Sequence, residues 1–241
     1  MKQMKFLPAI GVAFLLLFSS CGGDDTKTTD TTATDSTAAT TTTESTIDTS
    51  AQTIVVVKHK VADFAKFKIA YDDHDSMRLA NGMHSYVIGR GVLDSNMVLV
   101  AVKADDAEKA KAFTKNPSLK EAMKKAGVTG TPDIMIHTIR YQDQAQNMSA
   151  LRSMTHFTVK DWADWKTAFE SNRQIRTDNG VTDRAYGHDV DDTKKVTLVV
   201  AINDSAKADA YWNSDLIKQK RAESGVVGEV KRFVYRVVQR Y

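Results

Sequence analysis

Tyr71, His74 and Arg78 fall three and four residues apart, on a stripe that begins with Phe64 and Phe67. That spacing puts all five on one face of a helix. A phenol, an imidazole and a guanidinium converging from one face can orient a small ligand at the edge of an apolar pocket. The same residues admit a structural reading, with Tyr71 in the core, His74 on the helix flank beside Asp73 and Asp75, and Arg78 paired with those carboxylates. Asp72-Asp73-His74-Asp75 does not read as a metal centre, because consecutive helical residues point in different directions. Among the other histidines, His59 and His137 fall on predicted first and fourth strands, matched later in the chain by Phe157 and Tyr235. Those replacements imply that both fill core or interface space. His84, His156 and His188 lie on predicted strands without a matched partner. No phosphate-cradling glycine loop, Gly-x-Ser-x-Gly elbow or His-Glu-x-x-His occurs.

The elements that position these residues occur twice. Residues 61–72 (VADFAKFKIAYD) and 159–170 (VKDWADWKTAFE) match at a constant offset of 98. The match continues through Arg78/Arg176, Asn81/Asn179, Gly82/Gly180 and Gly89/Gly187, and ends at GVTG 127–130 against GVVG 225–228. A repeat of this length is a small domain rather than a solenoid unit. In the second copy Phe169, Asn172 and Arg176 stand where the first has Tyr71, His74 and Arg78, so a working pocket is expected in the first copy alone.

Within each copy the hydrophobic period alternates in one order. Residues 53–61 read as a strand, Asp63 as an N-cap, and 64–80 as a helix ended by Asn81-Gly82. Strands follow at 84–90 and 97–103, then a helix over 106–125 and a strand at 133–140. The second copy repeats this with strands near 153–159, 183–188, 195–202 and 230–238. The order β-α-β-β-α-β is the ferredoxin-like split βαβ. Val98–Val102 and Leu198–Ile202 are apolar on both faces, which calls for burial on both. The expected architecture is therefore α+β, with domains at 53–141 and 153–241 packed sheet to sheet as one intramolecular, pseudo-twofold barrel. A monomer follows, because the partner sheet is supplied in cis.

The first residues give an address. Lys2 and Lys5 precede an apolar run from Phe6 to Phe18, too short to span a bilayer, and Ser19-Ser20 leads into Cys21, the only cysteine. Leu17-Phe18-Ser19-Ser20-Cys21 resembles a bacterial lipoprotein box, which implies a leader over 1–20, lipidation of Cys21 and attachment to a membrane. Gly22 implies the outer membrane, with surface exposure possible. Residues 21–52 form a spacer: 13 of the 25 residues from 26 to 50 are threonine, too polar to offset ordering entropy. The formal charge of +3 includes Lys2 and Lys5, charges of both signs are interspersed, and no basic stripe with aromatics argues for nucleic acid.

The shared pattern Val61/Val159, Asp63/Asp161, Phe64/Trp162, Phe67/Trp165, Lys68/Lys166 and Tyr71/Phe169 resembles the dimeric α/β-barrel superfamily, as do Asn116-Pro117-Ser118 and Gly127-Val128-x-Gly130-x-Pro132. The resemblance spans 53–241 and is similar in particular to antibiotic-biosynthesis-monooxygenase-like and "cyclase"-labelled domains. It implies a small-molecule pocket between the first helix and the sheet, lined by Tyr71, His74 and Arg78. The second copy departs from it, lacking the Asn-Pro-Ser segment and carrying Val230 in place of Pro132. Haem-handling members imply a ligand histidine on the second helix, and neither 106–125 nor 205–224 contains one, so no haem, other cofactor or metal is expected. Three readings remain: a lipid-anchored module binding a small apolar molecule or a protein partner, a cofactor-independent monooxygenase-like enzyme, and a purely structural domain pair.

Overall fold

The computed structural model describes residues 45–146 and 148–241; the expected leader, Cys21 and most of the threonine-rich tract lie outside them. The described chain from Ser45 belongs to one compact unit. The first copy comprises β2 (Gln52–Val61), α1 (Phe64–Asp73), α2 (Asp75–Ala80), β3 (Met83–Gly91), β4 (Met97–Ala104), α3 (Ala107–Lys115), α4 (Pro117–Lys125) and β5 (Val128–Asp143). The second comprises β6 (Leu151–Val159), α5 (Trp162–Ser171), α6 (Arg173–Asp178), β7 (Val181–Asp189), β8 (Lys195–Ile202), α7 (Ser205–Asn213), α8 (Asp215–Glu223) and β9 (Val226–Arg240). A short β1 (Ile47–Asp48), from the tail of the expected spacer, pairs with Asp143 and Gln142 at the end of β5.

Both faces of the apolar strands are covered, as their composition requires. On β2, Val55 and Val57 pack with Phe67, Phe113 and the other helix residues of the first copy, whereas Ile54 and Val56 face a core shared with Met154 and Tyr235 of the second. The two sheets thus face each other across a common interior, and they are also stitched edge to edge. All pairings are antiparallel and run β5-β2-β4-β3-β9-β6-β8-β7, with β7 returning to β5 to close an eight-stranded ring. The closing pairs are equivalent: β9 leaves β6 and continues onto β3, and β5 leaves β2 and continues onto β7. Because each must serve both copies, β5 runs 16 residues and β9 15, well beyond the strands expected at 133–140 and 230–238. The repeated Gly89 and Gly187 lie at these crossings. A Cβ on Gly89 would sit 2.2 Å from the Tyr235 ring, and one on Gly187 2.1 Å from the Thr138 carbonyl.

Each long helix expected from the period is broken once. His74 ends α1: its backbone N–H bonds Asp72, and its Nδ1 takes the Ala70 carbonyl at 2.7 Å, replacing the bond that a continuing helix would make. Asn172 does the same in the second copy, donating Nδ2 to Ala168 at 2.6 Å. The second break falls at Asn116, which precedes Pro117 and is driven out of the helical region, to φ −66°, ψ 124°. Its side chain caps Ser118 N at 2.9 Å. Ser214 makes the equivalent break without a proline.

Candidate functional site

A cavity of about 70 Å³ lies between α1 and α2 and the outer face of the first-copy sheet. Val55, Val57, His59, Val100 and Val102 form its floor; Phe67, Tyr71, His74, Met77 and Arg78 cover it from α1 and α2, and Phe113, Leu119 and Met123 from α3 and α4. Tyr71, His74 and Arg78 are therefore gathered around one space. His74, Met77 and Ala122 also line an outer pocket of about 360 Å³ between α2 and α4, so His74 borders both spaces.

Each of the three also has a structural duty. The Ser85 hydroxyl donates to Asp75 Oδ1 at 3.0 Å and accepts from Arg78 Nε at 3.0 Å. The Tyr71 hydroxyl lies 3.1 Å from it, and Arg78 Nη2 donates to Asp75 at 3.0 Å. The Arg78 guanidinium lies on the Tyr71 ring, 3.7 Å from its centroid, and burial raises the Tyr71 pKa. A carbonyl can only accept, so the contact with Ala70 places the proton of neutral His74 on Nδ1 and leaves Nε2 as an acceptor.

His59, expected to fill core space, does so. It is 3% exposed, its ring centroid is 5.1 Å from that of Phe67, and neither ring nitrogen has a hydrogen-bond partner among the described residues. Burial holds its pKa down to about 4, so it is neutral and carries one unused donor and one unused acceptor. The signal was present in the row Val55, Val57, His59, where a polar ring interrupts an apolar, helix-facing stripe.

The second copy has an equivalent cavity of about 90 Å³, with Phe157 in place of His59. There Arg176 is fully engaged: it forms a fork to Asp183 at 2.8 and 2.6 Å and donates Nη1 to the Phe169 carbonyl at 2.6 Å. Among the remaining histidines, His137 and His156 stack across the copy boundary at 5.5 Å, bridged by Thr197 Oγ1, which is 2.8 Å from His156 Nδ1 and 3.1 Å from His137 Nε2. Burial lowers both, to about 3 for His137 and about 4 for His156. His84 is an exposed partner of Asp105 at 2.8 Å, and His188 packs edge-on against Trp162. Among the described residues no group of three or more His, Cys, Asp or Glu side chains is arranged to hold a metal.

No family model and no curated protein sequence matches the chain. Solved structures do share its fold. A candidate monooxygenase of Fusobacterium nucleatum aligns at 14% identity over 79% of this chain and 94% of its own, with a TM-score of 0.52. An anthrone oxidase-like protein aligns at 14% identity over 80% and 94%, with a TM-score of 0.56. A candidate chlorite dismutase aligns at 10% identity over 78% and 96%, with a TM-score of 0.57. The chain has the fold of the dimeric α+β barrels, built here from two copies in one polypeptide; at these identities the likeness is one of fold.

Proposed function

We propose that the chain is a lipid-anchored cell-envelope protein whose first copy binds a small, largely apolar molecule in the cavity under α1 and α2. One observation carries the binding reading: a buried histidine, His59, with both ring nitrogens unpartnered among the described residues in an otherwise apolar space. An unmet buried donor or acceptor costs about 1–3 kcal/mol. A ligand carrying a single carbonyl or hydroxyl on an apolar frame would meet that need. Tyr71 and Arg78 supply a fixed wall, and His74, bordering both spaces, offers Nε2. The alternative is a cofactor-independent oxygenase, suggested by the monooxygenase and anthrone oxidase-like proteins of the same fold. The electrostatics of His59 favour binding. A general base works best with a pKa near the operating pH, and at about 4 His59 is suited to hydrogen bonding rather than to taking a proton.

A thermal-shift screen with small apolar and quinone-like compounds tests this. A hit should stabilise the wild type and lose its effect in His59→Phe and in the His74→Ala/Arg78→Ala double variant. Equal stabilisation of all three proteins would refute the site, an empty screen would favour a structural pair, and oxygen uptake with a hit would favour the oxygenase. The anchor rests on Cys21 and the residues before it. Cys21→Ser should move the protein to the soluble fraction; a variant that still sediments with membranes would contradict lipidation there.

A further inference from the structure

The inside of the barrel holds a second, chemically different space. A cavity of about 80 Å³ lies within the shared core, with Ile54, Leu99, Met154 and Val199 among its walls. At one end it narrows between Tyr86, Arg184 and Arg240, and the same three residues line an outer pocket of about 490 Å³ that also includes Lys103. Arg152 lines the inner cavity at 2% exposure. The repeat locates the asymmetry, since Arg152, Arg184 and Arg240 stand at the positions that Ile54, Tyr86 and Gln142 occupy in the first copy. All three guanidinium groups are thus contributed by one copy to a space shared by both.

These charges are poorly compensated. Among the described residues, Arg152, Arg240 and Lys103 have no acidic side chain within ion-pair distance, and Arg184 has only Asp143, at 3.8 Å. The other oxygen of Asp143 is already occupied, by Thr46 Oγ1 at 2.8 Å and by the Ala145 amide at 2.9 Å. Arg152 donates Nη1 to the Leu151 carbonyl at 3.2 Å, but its Nη2 is buried with no partner among the described residues. Burial, with repulsion from Arg184 and Arg240, lowers Arg152 to about 10, so it still carries its charge at neutral pH. A buried guanidinium facing two others is costly unless an anion meets it.

We propose that the arginine-lined neck of the barrel binds a small oxyanion, a carboxylate or phosphate group entering from the outer pocket, with Arg152 as its innermost contact. Planar guanidinium forks match both kinds of group, and burial of Arg152 strengthens the pairing. This site is separate from the His59 cavity, which lies on the other face of the first-copy sheet.

The test is calorimetric titration and thermal shift of the full chain with sodium phosphate and with sodium acetate, against sodium chloride at equal ionic strength. Phosphate, acetate or both should stabilise the protein beyond chloride, and the larger response identifies the preferred group. Arg152→Gln should weaken that binding roughly tenfold or more, the scale of one lost charge-assisted hydrogen bond. Arg240→Gln, at the less buried rim, provides the same comparison if Arg152→Gln fails to fold. His59→Phe should leave the anion response unchanged. Responses no larger than with chloride, or equal binding by the arginine variants and the wild type, would overturn the assignment.

Discussion

Where the first copy closes its helix–sheet cavity with Asp75 on the helix and Ser85 on the strand, the second has Arg173 and Asp183. The carboxylate has moved from helix to strand, and the consequences follow from burial. The Asp183 side chain is 2% exposed and grips Arg176 in a fork, while Arg173 stands near it at 3.6 Å and donates to the Tyr141 hydroxyl at 3.0 Å. The Asp75 side chain is 48% exposed, so Arg78 relies on one half-solvated carboxylate, a serine hydroxyl and the face of Tyr71. The floor differs in the same sense. Phe157 packs against Trp165 at 5.5 Å in the second copy, whereas His59 leaves two polar atoms unmet in the first. Both copies keep a cavity, but the second holds its arginine in fully satisfied contacts, whereas the first has a buried polar ring on its floor with no partner among the described residues. Duplication permits this division, since one half can secure the barrel while the other is free to carry the site proposed above.

The comparison is broken most directly at the two strand residues. Asp183→Ala should strand a buried guanidinium and cost about 3–5 kcal/mol. Ser85→Ala removes a hydroxyl but leaves Arg78 its bond to Asp75 and its stacking on Tyr71, a loss of about 1 kcal/mol. Urea denaturation of the two variants measures both. Equal costs would mean that the second-copy pair is no more structural than the first, and the division of labour would fail.

Much of this was legible in the residues. The offset of 98, the element order and the doubly apolar strands together require two split βαβ units sharing a core. Of the stripe, Phe67, Tyr71, His74 and Arg78 do face one cavity. The helix break at His74 was hidden because periodicity reports a face and not continuity; α1 and α2 present the same face on either side of the break. The lengths of β5 and β9 were hidden because their ends pair with the other copy, a contact that no local pattern encodes. His59 was legible as a core residue from its match with Phe157, and it is buried; its lack of a hydrogen-bond partner among the described residues was not, because a matched aromatic shows the space and not the hydrogen bonding in it. The arginine neck was missed for a related reason. Arg152, Arg184 and Arg240 lie far apart in the chain, on β6, β7 and β9, and only the order of those strands in the sheet brings them to one end of the barrel.

The contrast is sharpened by exchanging the floor residues. His59→Phe should stabilise the free protein by about 1–3 kcal/mol at neutral pH, by removing two unmet polar atoms and filling part of the cavity. Phe157→His should destabilise it by a similar amount, because it places an unpartnered ring beside Trp165. The pH profile separates the polar effect from simple packing. With a folded pKa near 4 against an ordinary value of 6.5, His59 binds its proton more readily in the unfolded chain. Its contribution is therefore complete above about pH 6.5 and is lost as the pH falls towards 4. His137 and His156 act in the same direction, so the wild type should lose stability steadily across that window. His59→Phe should flatten the slope without abolishing it, because those two histidines remain. An unchanged slope, measured as the urea midpoint at pH 7, 6 and 5, would show that His59 is not buried and neutral. The assignment of the first-copy cavity as the binding site would then lose the observation it rests on.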